Sequence, residues 1–200
     1  MHIRRSPFDP ELIDIKFFDE NGMDLSTAKE KSIEGLFFRE DFRRAPYNEV
    51  GEISFPSHAI DFYKEGFLRT IDKESIQKRK FKVVVDYAFG SASTIFPSLL
   101  GKLGCEVVAL NSYLDENKLT KNSEEFKHSI EQLSNITSTL KADIGFMLDA
   151  GSEKIFIVDE EGDIISGDEA LCLLTYMVFQ LQPSVTIAVP ISASSAIDEI

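Results

Sequence analysis

Apolar residues in the first third of the chain change from a period of two to a helical period. Residues 13–18 largely alternate between apolar and polar side chains, which predicts a strand within an opening segment of two short strands. The Asn-Gly pair at 21–22 predicts a turn. Apolar residues at helical spacing then predict two helices, one that Ser26 caps and one over residues 57–71.

From residue 81 onward, predicted strands alternate with predicted helices. Residues 83–85 are three consecutive valines, which is typical of a strand buried on both faces. The elements predicted next are a helix to residue 103, a strand over 106–110, a helix over 123–140, a strand over 143–148 and a hairpin of 155–158 with 163–165. This alternation predicts right-handed crossovers and a largely parallel sheet of the α/β class.

The final segment predicts the beginning of another α/β unit. Its pattern indicates a helix over 167–181, a strand over Val185–Val189 and a helix that begins at Ser192. The charged stretch 72–80 has few apolar residues and predicts a domain boundary. We therefore predict regions 1–76, 77–166 and 167–200, and we expect the chain to be a fragment because the last region stops early.

Charge and composition exclude several classes of function. The 200 residues carry a net charge of −13, which argues against nucleic acid and against anionic membrane surfaces as partners. The sequence contains no run of about 18 apolar residues, so no membrane-spanning helix is predicted. Nothing near the amino terminus resembles a secretion signal. Cys105 and Cys172 lie in apolar segments, which suits a reducing cytoplasm.

The cationic residues near the amino terminus are a candidate binding site for an anionic ligand. Six Arg and Lys residues lie within the first 44 positions: Arg4, Arg5, Lys16, Arg39, Arg43 and Arg44. Such a cluster could hold an anionic ligand in an acidic protein. A solvated basic face explains it about as well, and strand alternation lets only one of Arg4 and Arg5 face Ser6.

The stretch from Ser6 to Pro10, followed by Asp14 to Phe18, resembles the active-site segment of the alpha-D-phosphohexomutases, the phosphoglucomutase and phosphomannomutase superfamily. That family carries Thr-Ala-Ser-His-Asn-Pro and, after a short spacer, Asn-Gly-x-Lys. Without gaps, Ser6 falls on its phosphoserine and Lys16 on the lysine usually given general acid/base work. The resemblance implies those catalytic roles for Ser6 and Lys16.

Later segments resemble the same family in order and at matching spacing. They are Lys82–Gly90 and Leu103–Val107, at strand junctions of the family's second domain, and Lys141–Gly145 and Val158–Gly162, which flank its metal loop. The resemblance implies three-layer α/β/α domains with mixed, largely parallel sheets. Regions 1–76, 77–166 and 167–200 would be the end of mutase domain I, domain II and the start of domain III.

A narrower resemblance is to the mutase-like region at the C-terminal end of some bacterial fusion proteins of the mannose-1-phosphate guanylyltransferase type. Those proteins carry sequences similar to Ser6–Pro10 and to Leu36–Arg44. This resemblance implies an upstream nucleotidyltransferase domain as partner and a role in nucleotide-sugar formation.

The metal loop departs from the family pattern. The family binds Mg²⁺ with Asp-Gly-Asp-x-Asp-Arg, in which alternate carboxylates of an extended loop converge on one ion. Here Asp149 keeps the first ligand position, the second carboxylate is replaced by Gly151, and the third is the longer Glu153. Lys154 stands at the arginine position without its bidentate fork. We therefore expect Mg²⁺ binding through Asp149 and Glu153 to be weak or lost.

The serine loop departs as well. Pro7 and Phe8 replace the His and Asn that follow the family's serine, and proline also removes a backbone N–H. Arg5 lies directly before Ser6 and, with Lys154, is our candidate for phosphate binding. The alternative interpretations are that Ser6 is a turn residue and that Lys16 is a solvated lysine.

Three functional hypotheses remain open from the sequence. The first is an impaired mutase region that binds mannose or glucose 1- or 6-phosphate as an accessory or regulatory module of a nucleotidyltransferase. The second is a working phosphomannomutase or phosphoglucomutase with an unusual metal loop and a Ser6 phosphoenzyme. The third is a scaffold that binds no ligand. The resemblance places the family's sugar- and phosphate-recognition loops beyond this chain, so we do not expect the chain alone to turn over substrate.

Overall fold

The computed structural model describes residues 1–6, 9 and 11–200. Pro7 and Phe8, on which part of the serine-loop prediction depends, therefore lie outside the described residues. The chain forms two compact units, Met1–Phe62 and Tyr63–Ile200. The three regions that the sequence suggests stay predictions.

The first unit begins with a hairpin of β1 (His2–Arg5) and β2 (Ile13–Lys16). Helix α1 (Thr27–Phe38) follows, with Ser26 as its N-cap residue as predicted. A 3₁₀ turn (Tyr47–Glu49) precedes α2 (Ala59–Arg69), which begins in this unit and confirms the second predicted helix.

The second unit is a five-stranded mixed sheet with helices. Its strands are β3 (Lys82–Asp86), β4 (Glu106–Leu110), β5 (Ile144–Leu148), β6 (Ile155–Val158) and β7 (Ile164–Ile165), in the order β4-β3-β5-β6-β7. The central strand β3 is parallel to β4 and β5, whereas β6 and β7 add antiparallel strands at one edge. This arrangement confirms the α/β class and the mixed sheet.

Helices cover both faces of the sheet because successive residues of β3 point to opposite sides. Val84 packs in a cluster with Leu133 and its neighbours on α5 (Ser123–Thr139). Val83 and Val85 belong to a second cluster, which includes Leu100 of α4 (Phe96–Lys102). Helices α4 and α5 therefore pack on opposite faces, which gives the three layers that the resemblance implies.

In the second unit, one helix was not predicted and one predicted strand is wrong. The charged stretch 72–80 contains a helix, α3 (Lys73–Arg79), because the Asp72 side chain accepts a hydrogen bond from the Ser75 backbone N–H at its start. Among the described residues, Val185–Val189 pairs with no strand and forms none. An apolar alternating segment needs a neighbouring strand for its backbone hydrogen bonds, whatever its own pattern.

The end of the chain differs from the prediction as well. Helix α6 (Gly167–Leu181) forms as expected, with a capping box between Ser166 and Glu169. The helix predicted from Ser192 is instead a 3₁₀ turn over Ser195–Glu199 that Ser194 caps. Among the described helices, none combines the length and the apolar character that crossing a bilayer requires.

Candidate functional site

The predicted metal loop connects β5 to β6 and closes on itself through Asp149. One oxygen of the Asp149 carboxylate, Oδ1, accepts hydrogen bonds from the backbone N–H groups of Glu153 at 2.7 Å and Lys154 at 2.8 Å. The Asp149 N–H donates to the Lys154 carbonyl at 3.1 Å. The first ligand position of the family's loop therefore stabilises the turn that contains it.

The remaining positions of this loop do not complete a cation site. Gly151 has no side chain, and Ser152 adopts a left-handed backbone with φ of 58°. Over residues 1–6, 9 and 11–200, no group of three or more His, Cys, Asp or Glu side chains is placed to hold a metal ion. Mg²⁺ prefers near-octahedral oxygen coordination. The residues of this loop therefore do not fit the family's three-carboxylate site.

The turn after β3 supports the metal loop from the neighbouring strand. A Cβ atom at Gly90 would lie 2.7 Å from the carbonyl oxygen of Ala150, so only glycine allows the two loops to approach this closely. Ala88 and Phe89, which precede it, both have positive φ angles, 46° and 59°. A left-handed backbone is rare for a bulky residue such as Phe89 and marks local strain.

Asp86 holds this strained turn in place, although the sequence analysis does not single it out. Its side chain is fully buried, and Oδ1 accepts a hydrogen bond from the Ala88 N–H at 2.8 Å. Both carboxylate oxygens lie 3.0 Å from Nδ2 of Asn111 in the loop after β4. The available signal was an aspartate directly after three core valines, because a buried carboxylate needs partners.

Tyr87, in the same turn, is buried and stays neutral. Its side chain is fully buried within the α4-side cluster, and burial raises the pKa of its hydroxyl to about 12. Within the described part of the chain, this hydroxyl has no hydrogen-bond partner. Tyr87 therefore contributes apolar packing beneath the loops and no charge.

In the first unit, Ser6 follows directly after β1 and is almost completely buried, at 4% exposure. Its backbone N–H donates to the Leu12 carbonyl at 3.0 Å, which closes the hairpin at this end. Arg5 pairs with Ile13 across the hairpin. Arg4 points to the other face, where its Nε lies 3.5 Å from Asp14 Oδ2.

A pocket of about 410 Å³ opens beside Arg5. Its lining consists of Ile3, Arg4, Arg5, Glu11, Leu12 and Ile13. The residues that line this space include two arginines and one glutamate, and Arg5 directly precedes the predicted nucleophile. The placement suits the predicted contact of Arg5 with an anion, which stays a prediction.

Lys16 lies at the other end of the hairpin from Ser6. The strand register pairs Lys16 with His2, four residues before Ser6, which corresponds to about 13 Å along a strand. The Lys16 ammonium is 3.4 Å from Asp24 Oδ2. The hairpin thus brings Arg5 next to Ser6 but separates Lys16 from it.

The predicted residues fall into two groups along the chain. Ser6, Arg5 and Lys16 belong to the first compact unit. Asp149, Glu153 and Lys154 belong to the second, where one six-residue loop brings them together.

Comparison with known proteins points to one family. The profile described as "Phosphoglucomutase/phosphomannomutase, alpha/beta/alpha domain II" matches residues 61–162. A phosphoglucomutase/phosphomannomutase of Thermococcus kodakarensis is 35% identical over 191 residues, which is 96% of this chain and 42% of that protein. A phosphoglucosamine mutase of Methanocaldococcus jannaschii is 29% identical over 95% of this chain and 42% of that protein.

A solved structure has the same fold. The chain superimposes on a phosphoglucomutase/phosphomannomutase family protein of Burkholderia thailandensis with a TM-score of 0.68 and 21% identity, over 90% of this chain and 37% of that one. The chain thus spans about two fifths of the length of the curated relatives it matches.

Proposed function

Because the chain belongs to the phosphoglucomutase/phosphomannomutase family, we propose that it is a mutase-like region that no longer catalyses phosphoryl transfer but still binds a hexose phosphate. In this proposal it is an accessory or regulatory part of a sugar 1-phosphate nucleotidyltransferase of the mannose-1-phosphate guanylyltransferase type. The ligands would be mannose or glucose 1- or 6-phosphate.

The metal loop is the observation that carries the proposal. Phosphoryl transfer needs cations that meet the charge on the transferring group. In this loop the second carboxylate is absent at Gly151, and Asp149 Oδ1 already accepts two backbone hydrogen bonds. Loss of Mg²⁺ binding removes the largest source of charge stabilisation, so catalysis is expected to fail even where the serine is kept.

The hairpin of the first unit supports retained binding more than retained catalysis. Arg4 and Arg5 line a pocket beside Ser6, and a guanidinium binds phosphate oxygens without any metal. Lys16, proposed as the acid/base, lies beside Asp24 and away from Ser6 along the strand. In the second unit, Lys154 is an exposed cation in the altered loop.

The proposed nucleotidyltransferase partner rests on the resemblance of Ser6–Pro10 and Leu36–Arg44 to guanylyltransferase fusion proteins. Cys105 and Cys172 are both free thiols, which agrees with the proposed cytoplasmic location.

The proposal is tested with the full-length protein that contains this chain. It is incubated with Mg²⁺, glucose 1-phosphate or mannose 1-phosphate, and the matching hexose bisphosphate, while formation of the 6-phosphate is followed. We expect no turnover and no phosphate on Ser6 by mass spectrometry, but an upward shift of the melting temperature with the hexose phosphates. Efficient turnover would contradict the proposal. An unchanged melting temperature would mean that the region binds no hexose phosphate and acts only as a scaffold.

Restoring the family's loop should restore metal binding. The triple variant Gly151→Asp, Glu153→Asp, Lys154→Arg adds one carboxylate and shortens another, so that three aspartates alternate along the loop. Mn²⁺ serves as the probe for Mg²⁺, and its binding is measured by electron paramagnetic resonance. We expect the triple variant to bind Mn²⁺ at least about tenfold more tightly than the unaltered chain does.

The matched control for this variant adds Asp149→Asn to the restored loop. Asparagine can still accept the two backbone hydrogen bonds but contributes no charge, so Mn²⁺ affinity should return close to that of the unaltered chain. Equal Mn²⁺ affinity in the unaltered chain and the triple variant would contradict the metal-loop explanation.

An active mutase is the second candidate, favoured by the 35% identity to a relative named phosphoglucomutase/phosphomannomutase. It requires phosphorylated Ser6, and it requires that Ser6→Ala and Asp149→Ala each abolish formation of hexose 6-phosphate. Both are measured in the assay above.

A further inference from the structure

A second pocket, of about 350 Å³, lies in the second unit at the carboxyl ends of β3 and β4. Its lining includes Phe89, Asn111, Lys118, Lys121, His128 and Gln132. These residues come from the turn after β3, the loop after β4 and the first turns of α5. Strands β4 and β5 lie on opposite sides of β3, so this pocket is separate from the loop of Asp149.

The topology of the sheet explains why a pocket opens here. The chain leaves β3 toward α4 on one face of the sheet and leaves β4 toward α5 on the other face. The two connections therefore diverge at the carboxyl ends of β3 and β4. Ligands of open α/β sheets bind outside the carboxyl ends of the strands.

The strained turn places an aromatic ring at this pocket. The backbone N–H of Phe89 donates to the Asn111 carbonyl at 3.1 Å, which fixes the left-handed residue against the loop after β4. The Phe89 ring meets Tyr113 edge to face, with ring centroids 5.1 Å apart. Strain of this kind persists where the surroundings impose it and is concentrated at binding sites.

These rings position a lysine at the pocket. The Lys118 ammonium lies 4.8 Å from the Phe89 ring centroid and donates to the Tyr113 hydroxyl at 3.1 Å. The hydrogen bond to Tyr113 raises the pKa of Lys118 above that of an ordinary lysine. Both rings restrict the rotamers of Lys118, which lowers the entropy lost when it binds an anion.

The charges around the pocket favour an anion. Lys121 donates to Ser129 Oγ at 2.9 Å. Among the carboxylates of this segment, Asp115 lies 3.7 Å from Lys118, and Glu125 accepts from the Asn122 N–H at the start of α5. Glu125 is thus turned toward the helix backbone, and two ammonium groups remain at the lining of the pocket.

We propose that this pocket binds a small phosphate-bearing anion, either inorganic phosphate or a phosphate monoester, between the ammonium groups of Lys118 and Lys121. Asn117 and Thr120, which carry an amide and a hydroxyl group, line the same space and suit phosphate oxygens or a sugar. The site is independent of the metal loop and of whether the protein is a mutase. It would give the second unit a ligand of its own.

The test is a titration of the ¹⁵N-labelled chain followed by nuclear magnetic resonance. Inorganic phosphate, glucose 1-phosphate and glucose are added separately. We expect saturable shifts of the Asn111, Lys118 and Lys121 amides with glucose 1-phosphate, and none with glucose. Saturation by inorganic phosphate as well would identify phosphate alone as sufficient, whereas saturation only by glucose 1-phosphate would identify a monoester.

Variants decide whether the two lysines carry the binding. Lys118→Met and Lys121→Met should each weaken binding about tenfold, because a charge-assisted hydrogen bond is removed. Lys127→Met removes the same charge from the exposed surface of α5, outside the pocket lining, and should leave the affinity within about twofold. Thermal unfolding of each variant checks that it is folded.

Three outcomes would overturn the assignment. They are an absence of saturable shifts with either phosphate compound, shifts confined to residues 149–154 or to the β1–β2 hairpin, and unchanged affinity in both Lys118→Met and Lys121→Met. Asp149 lies outside this pocket. The Asp149→Asn variant should therefore bind glucose 1-phosphate at this pocket as the unaltered chain does, whatever the result of the mutase assay.

Discussion

Replacing Asp86 with alanine should destabilise the second unit by about 3 kcal/mol, through the loss of hydrogen bonds to a buried carboxylate. The Ala88 N–H and the Asn111 amide, both now bonded to Asp86, would lose their partner at this site. The left-handed turn at Ala88 and Phe89 would lose the contact that holds it. Urea denaturation followed by circular dichroism measures the free energy of unfolding.

Asp86→Asn is the matched control for this prediction. Its amide oxygen can still accept from the Ala88 N–H, and rotation of the Asn111 amide lets the two side chains bond to each other. We expect a loss of about 1 kcal/mol, well below that of alanine. Equal losses in the two variants would mean that the charge, and not the hydrogen bonds, determines the stability.

Replacing Gly145 with alanine should destabilise the same unit by about 3 kcal/mol, because the core is overpacked at this point. Gly145 lies in β5 beneath α5. A Cβ atom there would overlap Oγ1 of Thr137 and lie 3.3 Å from Cγ and Cδ1 of Leu133. Thr137 and Leu133 are both fully buried, so α5 itself would have to move away from the sheet.

Two further variants separate this contact from a general effect of alanine. Thr137→Ala combined with Gly145→Ala removes Oγ1, so the double variant should lose less than the sum of the single losses by about 1 kcal/mol or more. Gly66→Ala in α2, where a Cβ meets nothing within 4 Å, should stabilise by about 0.5–1 kcal/mol through helix propensity. Simple additivity at Gly145 and Thr137 would contradict the contact.

Asp149, the predicted first metal ligand, stabilises the loop that contains it. Asp149 stays at the carboxyl end of β5, but its Oδ1 now accepts from two N–H groups of the same loop. Several carboxylates close together repel one another unless a cation binds between them. With glycine at 151, this loop carries fewer such charges than the family pattern.

The elements that form the second unit could be predicted from the sequence because local patterns determine them. Three consecutive valines predicted β3, and the polar segment between two predicted strands was predicted as a helix over 123–140, where α5 forms. The substitution of Gly151 for a carboxylate is likewise a property of the sequence alone. A side chain that glycine lacks cannot be supplied by any arrangement of the fold.

The tertiary structure decided everything that depends on partners distant in sequence. Burial of Asp86 beside Asn111, and the strained turn at Phe89, require β3 and β4 to lie side by side. The register of the hairpin, which separates Lys16 from Ser6, depends on the pairing of β1 with β2. The strand predicted over Val185–Val189 does not form among the described residues, because an alternating pattern forms a strand only beside another strand.

The sequence by itself thus determined the class of fold, the positions of most strands and helices, and the absence of a side chain at Gly151. Only the tertiary structure decided where the Asp149 carboxylate points and which lysines line a pocket. Hydrophobic periodicity is set by neighbouring residues. Hydrogen-bond partners and pockets are set by segments that meet only when the chain has folded.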